Sequence, residues 1–489
     1  MTPETSKNNT PKDSIVEFLK DHIKLYHSLM GVNYARIEIG EKTNLVTLRG
    51  KSFRQYITKL LYSLNGKIPS QSQVKSIVLM LEFEAQEGTE KEVFTRIAHH
   101  EGNIYLDLAN AAGTIVKITK EGWEIISEDE CPVLFYRPVK MKALPNPKIN
   151  GDITRLAEFL NVESDNHACL IFAWLLMARN PQGPYPVLCF QGEQGSGKSS
   201  IMRILRNVID PCHPSISSMP NGEDNILISA LRSQILAFDN ISSINNIISD
   251  VLCRLATGGG FSKRALFTDD EETCFYLMRP MMLNGITGLM GRQDLCDRSI
   301  FINTVPISSA NRRTERELLQ AFEDAHPDIL GGLCTAVSMA LRNIDSVELS
   351  SLPRMADFAK WITAAEPALP FPEGQFSAAY ESNRQEIIDE AIESDPVASA
   401  VVKFAYCYRQ WSGTPTDLLQ QLNLFVTDDI KRLNLWPKQP NSLSRSLKRS
   451  VTFLREKDIE VSFVKSGVRT INIVLNSPQF PGFPGIYQG

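Results

Sequence analysis

The sequence has no long apolar run, no C-x-x-C pair and no excess of basic charge, and each shortage removes a class of protein. Its most apolar stretch, Ala168 to Met177 within HACLIFAWLLMAR, is about half of the roughly 20 residues that a membrane helix needs, so no membrane span is expected. Nine cysteines in 489 residues, scattered and odd in number, suit reduced thiols better than a disulfide framework. The opening MTPETSKNNTPKDS is polar and lacks the apolar core of an export signal, so the expected compartment is the cytoplasm. No zinc-ligand cluster is present; Cys212-His213 reads as a loop pair, and His99 and His100, adjacent on an expected strand, would point to opposite faces. The net charge of −5 taken as a whole does not suit a binder of polyanions. That sum hides a partition: 41 basic and 53 acidic residues precede Lys431, whereas Lys431 to Thr470 holds ten basic and three acidic residues.

A chain 43% hydrophobic and 22% charged is ordinary globular material, and at roughly 150 residues per domain its length predicts about three units. The first, 1–148, alternates strand-like YARIEI and NLVTLRG with helix-like FRQYITKLLYSL and QVKSIVLMLEFEA, which predicts an α+β domain. Within KALPNPKINGD, Lys142 to Asp152, proline, glycine and asparagine mark a boundary. A second unit is expected over 149–395, a third over 396–475, and an irregular Pro/Gly-rich tail over 476–489. No internal repeat is evident.

The second unit carries the chemistry. Gly192-Glu193-Gln194-Gly195-Ser196-Gly197-Lys198-Ser199, with Ser200 following, fits G-x-x-x-x-G-K-[ST] between an apolar strand, VLCF, and an amphipathic helix. Glycines permit a loop whose N–H groups surround phosphate oxygens at a helix N-terminus, a lysine supplies positive charge, and a serine hydroxyl can ligate Mg²⁺. A nucleotide site also needs an acid at the end of a neighbouring strand. Asp239, ending ILAFD, is the candidate metal-facing carboxylate. The next position, where many related ATPases place a glutamate, is Asn240; an amide orients water but accepts no proton. A third strand, Met281-Met282-Leu283, ends in Asn284, the candidate sensor-1 amide. Arg298, preferred over Arg292, is the candidate arginine finger for a neighbouring subunit's γ-phosphate.

These motifs together resemble a family: phage-, plasmid- and island-encoded AAA+ ATPases related to superfamily-3 and MCM-type replicative helicases. The blocks that carry the resemblance are GPYPVLCFQGEQGSGKSS, ILAFDNIS, SDVLCRLATGGGFSKRALFTDDEE, RPMMLNGI, DLCDRSIFI, LPRMADFAKW and WPKQPNSLSRSLKR, spread over roughly 150–475. The resemblance implies an ASCE-type α/β core with a hairpin before the sensor-1 strand, here Lys263 to Thr268 and Thr273 to Tyr276 about an acidic turn at Asp269 to Glu272. In such helicases the hairpin follows DNA through a central channel; the acidic turn leaves Lys263 and Arg264 as the better phosphate contacts. The helical patterns RRTERELLQAFEDAH and PRMADFAKWITAAEPAL would form a lid, with Arg354, Arg312 or Arg313 as its sensor-2 arginine.

In the third unit, NSLSRSLKRSVTFLREKD follows WPKQP, a stop and restart, and precedes two β-like runs, EVSFVK and RTINIVL. Helices followed by a hairpin predict a winged helix, with Arg445, Lys448 and Arg449 on the groove-facing helix and Lys465 and Arg469 flanking the wing. The whole is then a multidomain α/β protein: an N-terminal α+β domain, a P-loop AAA+ core with lid and hairpin, and a C-terminal winged helix. The expected function is an ATP-hydrolysing, ring-forming replicative helicase of a mobile element, with ATP and Mg²⁺ at subunit interfaces, six subunits in the ring, and single-stranded or forked DNA and replication proteins as partners. The alternative is a nucleotide-controlled DNA-binding switch, an initiator, loader or defence-associated ATPase without unwinding.

Overall fold

The computed structural model describes residues 18–19, 22–39, 42–264, 272–285, 293–466 and 468–476. It is a multidomain α/β protein in which a small parallel sheet sits among antiparallel ones. The first unit is a four-stranded sheet, Lys42–Thr47, Asn33–Ile39, Lys24–His27 and Thr89–Glu90 in that spatial order, with helices Lys51–Asn65 and Gln71–Glu87 packed on it. The second helix starts where Ser70 and Gln73 form a reciprocal capping box, satisfying two N–H groups that the first turn cannot. Phe53, Ile57, Leu81, Ile37 and Leu19 form a core of their own. A second sheet follows, the antiparallel meander Ile97–His100, Asn103–Asp107, Thr114–Ile118 and Trp123–Ser127. Ile104, Leu106, Val116 and Ile118 belong to the same core as the residues that follow 152, so no change of core falls at 148.

The central sheet is fully parallel. Its strands are β1 (Val187–Gln191), β2 (Leu236–Phe238), β3 (Met281–Asn284) and β4 (Ser299–Asn303), in the spatial order β2-β3-β1-β4. Each strand is buried on both sides, which is why they read as unbroken apolar runs. Helix α1 (Lys198–Ile209) and helix α2 (Glu315–Asn343) cover one face, joined by Asp165–Met177. The last is the ACLIFAWLLM segment: Cys169 to Met177 are all buried, with Trp174 donating to the Pro186 carbonyl, so it is a core helix apolar all round. Helix Asn246–Thr257 and helix α3 (Gln375–Ser394) cover the other face.

Several expectations are corrected here. The helices expected to form a lid, α2 and Ala356–Ala365, are built into the main core instead: Phe322, Leu330, Leu333, Phe358 and Ile362 pack with Leu205 and Ile302. ITRLAEF forms a 3₁₀-helix, Ile153–Phe159. The hairpin begins earlier than expected, since Gly259–Arg264 pairs antiparallel with Glu272–Leu277 and the glycines open the strand; its turn, with Asp269 and Asp270, lies outside the described residues.

The C-terminal unit has its own core, built from Val397, Phe404, Leu418, Trp436, Leu447 and Ile473. It starts at Pro396, the first helical position after the capping Asp395. Helix α4 (Pro440–Glu456) is followed by β5 (Ile459–Ser466) and β6 (Val468–Leu475), with Gln410–Gly413 completing a three-stranded sheet. Among the described residues no helix is long and apolar enough to cross a membrane.

Candidate functional site

The site forms where β1, β2 and β3 end together. After Gln191 the chain turns through Gly192, Gly195 and Gly197, at φ of 134°, 84° and 84°, values that side chains with a Cβ rarely adopt. At Gly192 space matters too, because a Cβ would lie 2.4 Å from Thr304 Oγ1. Helix α1 then begins without a side-chain cap and with no acidic residue in its first turn. Its leading N–H groups and the positive end of its dipole therefore remain available to an anion.

The loop is held from beneath. Ser196 is wholly buried and shares a 2.6 Å hydrogen bond with Thr304 Oγ1, which donates to the Gln191 carbonyl at 2.8 Å. Asn161 Nδ2 donates to the Ser196 carbonyl at 2.9 Å and to the Val305 carbonyl at 2.5 Å. Lys198 Nζ lies back on the loop, donating to the Gly192 and Glu193 carbonyls at 2.8 and 2.7 Å.

Above the loop a cavity of about 870 Å³ is lined by Gly192, Gln194, Gly195, Gly197, Lys198, Ser199 and Ser200, by Asp239, Asn240 and Asn284, and by Glu390. Thus the P-loop, the strand-end acid and the strand-end amide, separate in sequence, meet at one place. Asn284 joins them: its Nδ2 donates to Asp239 Oδ1 at 2.5 Å and to Ser199 Oγ at 3.4 Å, while its Oδ1 is buried without a partner. Asp239 Oδ1 also accepts the Asn240 N–H at 2.9 Å, and Asn240 itself sits at φ 55°. The Asn284 strand end must approach this turn closely, which Gly285 permits: a Cβ there would lie 2.8 Å from the Ile241 nitrogen. A hydroxyl and a carboxylate bridged by one amide can share a hydrated divalent cation, and an unpaired buried acceptor marks a place where a donor is missing. The residues therefore fit a phosphate chain and its cation.

Other expected residues stand elsewhere. Glu193 does not line the cavity, and Ser196 supports it from below. Arg298 lies at the opposite end of the sheet: its carbonyl accepts the Val187 N–H, at the start of β1. Five residues at roughly 3.3 Å rise separate it from the loop by about 15 Å. Its Nη1 donates to the Asp294 carbonyl at 2.6 Å, and its Nε is buried without a partner. Arg354 is beside it, paired with Asp297, so it is not in the cavity; Arg312 and Arg313 are exposed ahead of α2. Arg292 lies outside the described residues. Lys263 and Arg264 occupy the hairpin strand opposite Thr273 and Glu272.

On α4, Arg445, Lys448 and Arg449 are exposed at three- and four-residue spacing, which places them on one side, opposite Leu443, Leu447 and Leu454. Lys448 lies over the Phe463 ring of β5 at 5.3 Å, and Lys465 faces Arg469 across the β5-β6 pair. These five basic positions thus belong to one helix and the adjoining hairpin.

Three contributors are not visible in the sequence: Asn161, Thr304 and Glu390. None belongs to a motif, and only the packing of distant segments onto the loop reveals them.

Comparison with known proteins gives the class: the chain is a replication protein of a mobile element. Residues 152–388 match the family model for the actinomycete integrative conjugative element replication protein, RepA, and residues 397–480 match the model of that family's C-terminal domain. Among solved structures, the chain is similar to an A-form apo structure of the NrS-1 C-terminal region at 11% identity and a TM-score of 0.40, covering 94% of this chain and 98% of that one. A second apo structure of that region matches at 10% identity and a TM-score of 0.35, covering 96% and 99%. No curated protein matches the chain.

Proposed function

We propose that this chain is an ATP-hydrolysing DNA motor of AAA+ type, a ring-forming helicase that serves replication of its element. The observation that carries this reading is the convergence of Lys198, Ser199, Asp239 and Asn284 on one cavity at the carboxyl ends of parallel strands. The loop N–H groups and Lys198 bind the phosphates of ATP, and Ser199 with Asp239 holds Mg²⁺. When bound, that ion neutralises charge developing on the phosphate oxygens. Asn284 orients both ligands. Arg298, at the far end of its own sheet, serves the site of the next subunit, which makes hydrolysis depend on assembly. Hydrolysis drives the Gly259–Leu277 hairpins along DNA, with Lys263 and Arg264 touching phosphates, while the C-terminal unit acts as a winged helix.

ATP turnover with and without forked DNA tests this reading. Lys198→Ala should lower turnover by at least about 100-fold, and Arg298→Ala should do so while sparing nucleotide binding. Normal hydrolysis by the Arg298 variant would sink the interface mechanism. For the C-terminal unit, the combined Arg445→Ala, Lys448→Ala and Arg449→Ala variant should reduce the slope of log affinity for DNA against log salt by about 3, one unit per lost phosphate contact. An unchanged slope would remove α4 from the DNA interface.

A second reading has one observation in its favour. Asn240 cannot accept a proton, which suits a nucleotide-controlled switch that assembles on DNA without unwinding it. DNA-stimulated hydrolysis without strand displacement would select it.

A further inference from the structure

Asp239 and Glu390 are the only carboxylates that line the phosphate cavity among the described residues. Asp239 already accepts from Asn284 and from the Asn240 N–H. Glu390 comes from α3, nearly two hundred residues along the chain, and lines the same cavity as Lys198 and Ser199. The geometry points to Glu390 as the general base of the hydrolytic reaction, supplying from α3 the carboxylate that Asn240 does not. This inference rests on the ATPase reading above.

The carboxylate is well supported. On α3, Ile387, Ile388, Ala391 and Ile392 are buried against the sheet and its helices. Two turns earlier, Asn383 donates to the Phe301 carbonyl at 2.7 Å and accepts from the Phe301 N–H at 3.0 Å, so α3 is bonded to β4 as a further strand would be. The Gln191 side chain, one residue before the loop, lines the same cavity as Glu390. The helix that carries the base is thus tied to the edge of the sheet. Glu386 and Glu393, one turn to either side, do not line the cavity. Partial burial, with Glu386 and Glu393 nearby, raises the affinity of Glu390 for a proton above that of an ordinary carboxylate, against the opposing effect of the Gln191 amide. A raised proton affinity makes a better base.

Glu390 takes a proton from water as the water oxygen bonds to the γ-phosphorus. The bond from that phosphorus to the β,γ-bridging oxygen breaks, its electron pair stays with ADP, and the proton passes from Glu390 to solvent. Asn240, at the neighbouring corner, orients the water.

Binding of a fluorescent ATP analogue, steady-state turnover and the identity of the retained nucleotide test this assignment in the full chain. Glu390→Gln should bind the analogue within about threefold of the parent, turn over ATP about 100-fold or more slowly, and retain ATP where the parent retains ADP. Glu390→Asp should recover part of the rate, and Glu393→Gln should hydrolyse normally. Turnover by Glu390→Gln within threefold of the parent overturns the assignment, and so does loss of nucleotide binding, which would make Glu390 a binding residue. Turnover that survives Lys198→Ala would instead overturn the ATPase reading itself.

Discussion

The two ends of helix α1 are built on opposite plans. At the N-terminal end polar groups are left open: no side chain caps the helix, no acid sits in its first turn, and three glycines shape the loop that leads into it. At the C-terminal end the polar groups are closed in. Asp210, fully buried, accepts from Arg96 Nε at 3.0 Å, Arg206 Nη2 at 3.2 Å and the Gln234 N–H at 3.0 Å. Arg96 spends its other donors on the Asp107 and Lys142 carbonyls, and Arg179 donates to the Val208 carbonyl at 2.5 Å, a cation at the negative end of the helix dipole. One end is prepared for a charge from outside, and the other has consumed its charges in tying the meander sheet to the core. A helix can do both because its first four N–H groups and last four carbonyls are independent sets of unmet bonds.

The comparison can be broken most forcefully at the closed end. Asp210→Asn would leave two buried arginines without their carboxylate, at a cost of about 3–5 kcal/mol, read as a fall in the denaturation midpoint. Nucleotide affinity at temperatures where the variant stays folded should be unchanged. Loss of affinity ahead of the midpoint would show that the two ends are not separable. The acid dependence has a fixed sign. Burial alone would raise the Asp210 proton affinity, but Arg206, Arg96 and the Gln234 amide outweigh it, so its folded value lies below the ordinary 3.8. Its stabilisation is therefore complete above the ordinary carboxylate range and is lost as pH falls through the folded value. The Asn variant should lose this part of the acid transition.

At the open end the sharper probe is smaller. Asn161→Ala removes two hydrogen bonds that hold the loop from below, and leaving the Ser196 and Val305 carbonyls unpaired costs about 1–3 kcal/mol. Because the loss falls on the loop, it should weaken nucleotide binding with little change in the denaturation midpoint. A lowered midpoint with unaltered binding would make Asn161 a residue of the fold alone.

Much of the site is legible in the sequence. The Gly192 to Ser199 loop, Asp239 and Asn284 each follow an apolar strand, and strand-then-polar order is a local signal. Gly285 marks how far such a signal reaches: its place after Asn284 is plain in the sequence, but the reason for it, contact with the turn at Asn240, is not. Arg354 reads as a lid residue only because its partner, Asp297, lies on a segment distant in sequence. The helices around it have the pattern of a peripheral lid, although their apolar faces pack into the main core. An amphipathic stripe says that a face is buried but not against what.

By itself, then, the sequence determined the glycine-rich loop from Gly192 to Ser199, the order of strand-end polar residues, and the split between an acidic body and a basic C-terminal module, because each is written in neighbouring residues or in a local sum of charge. Tertiary structure alone decided that β3 lies between β1 and β2, which brings Asn284 to both Ser199 and Asp239. It decided that Arg298 faces away from its own cavity, and that Asn161, Thr304 and Glu390 reach the loop. Those facts depend on which strands pair and which helices pack on them, and pairing is set by the burial of the whole chain rather than by any window of it.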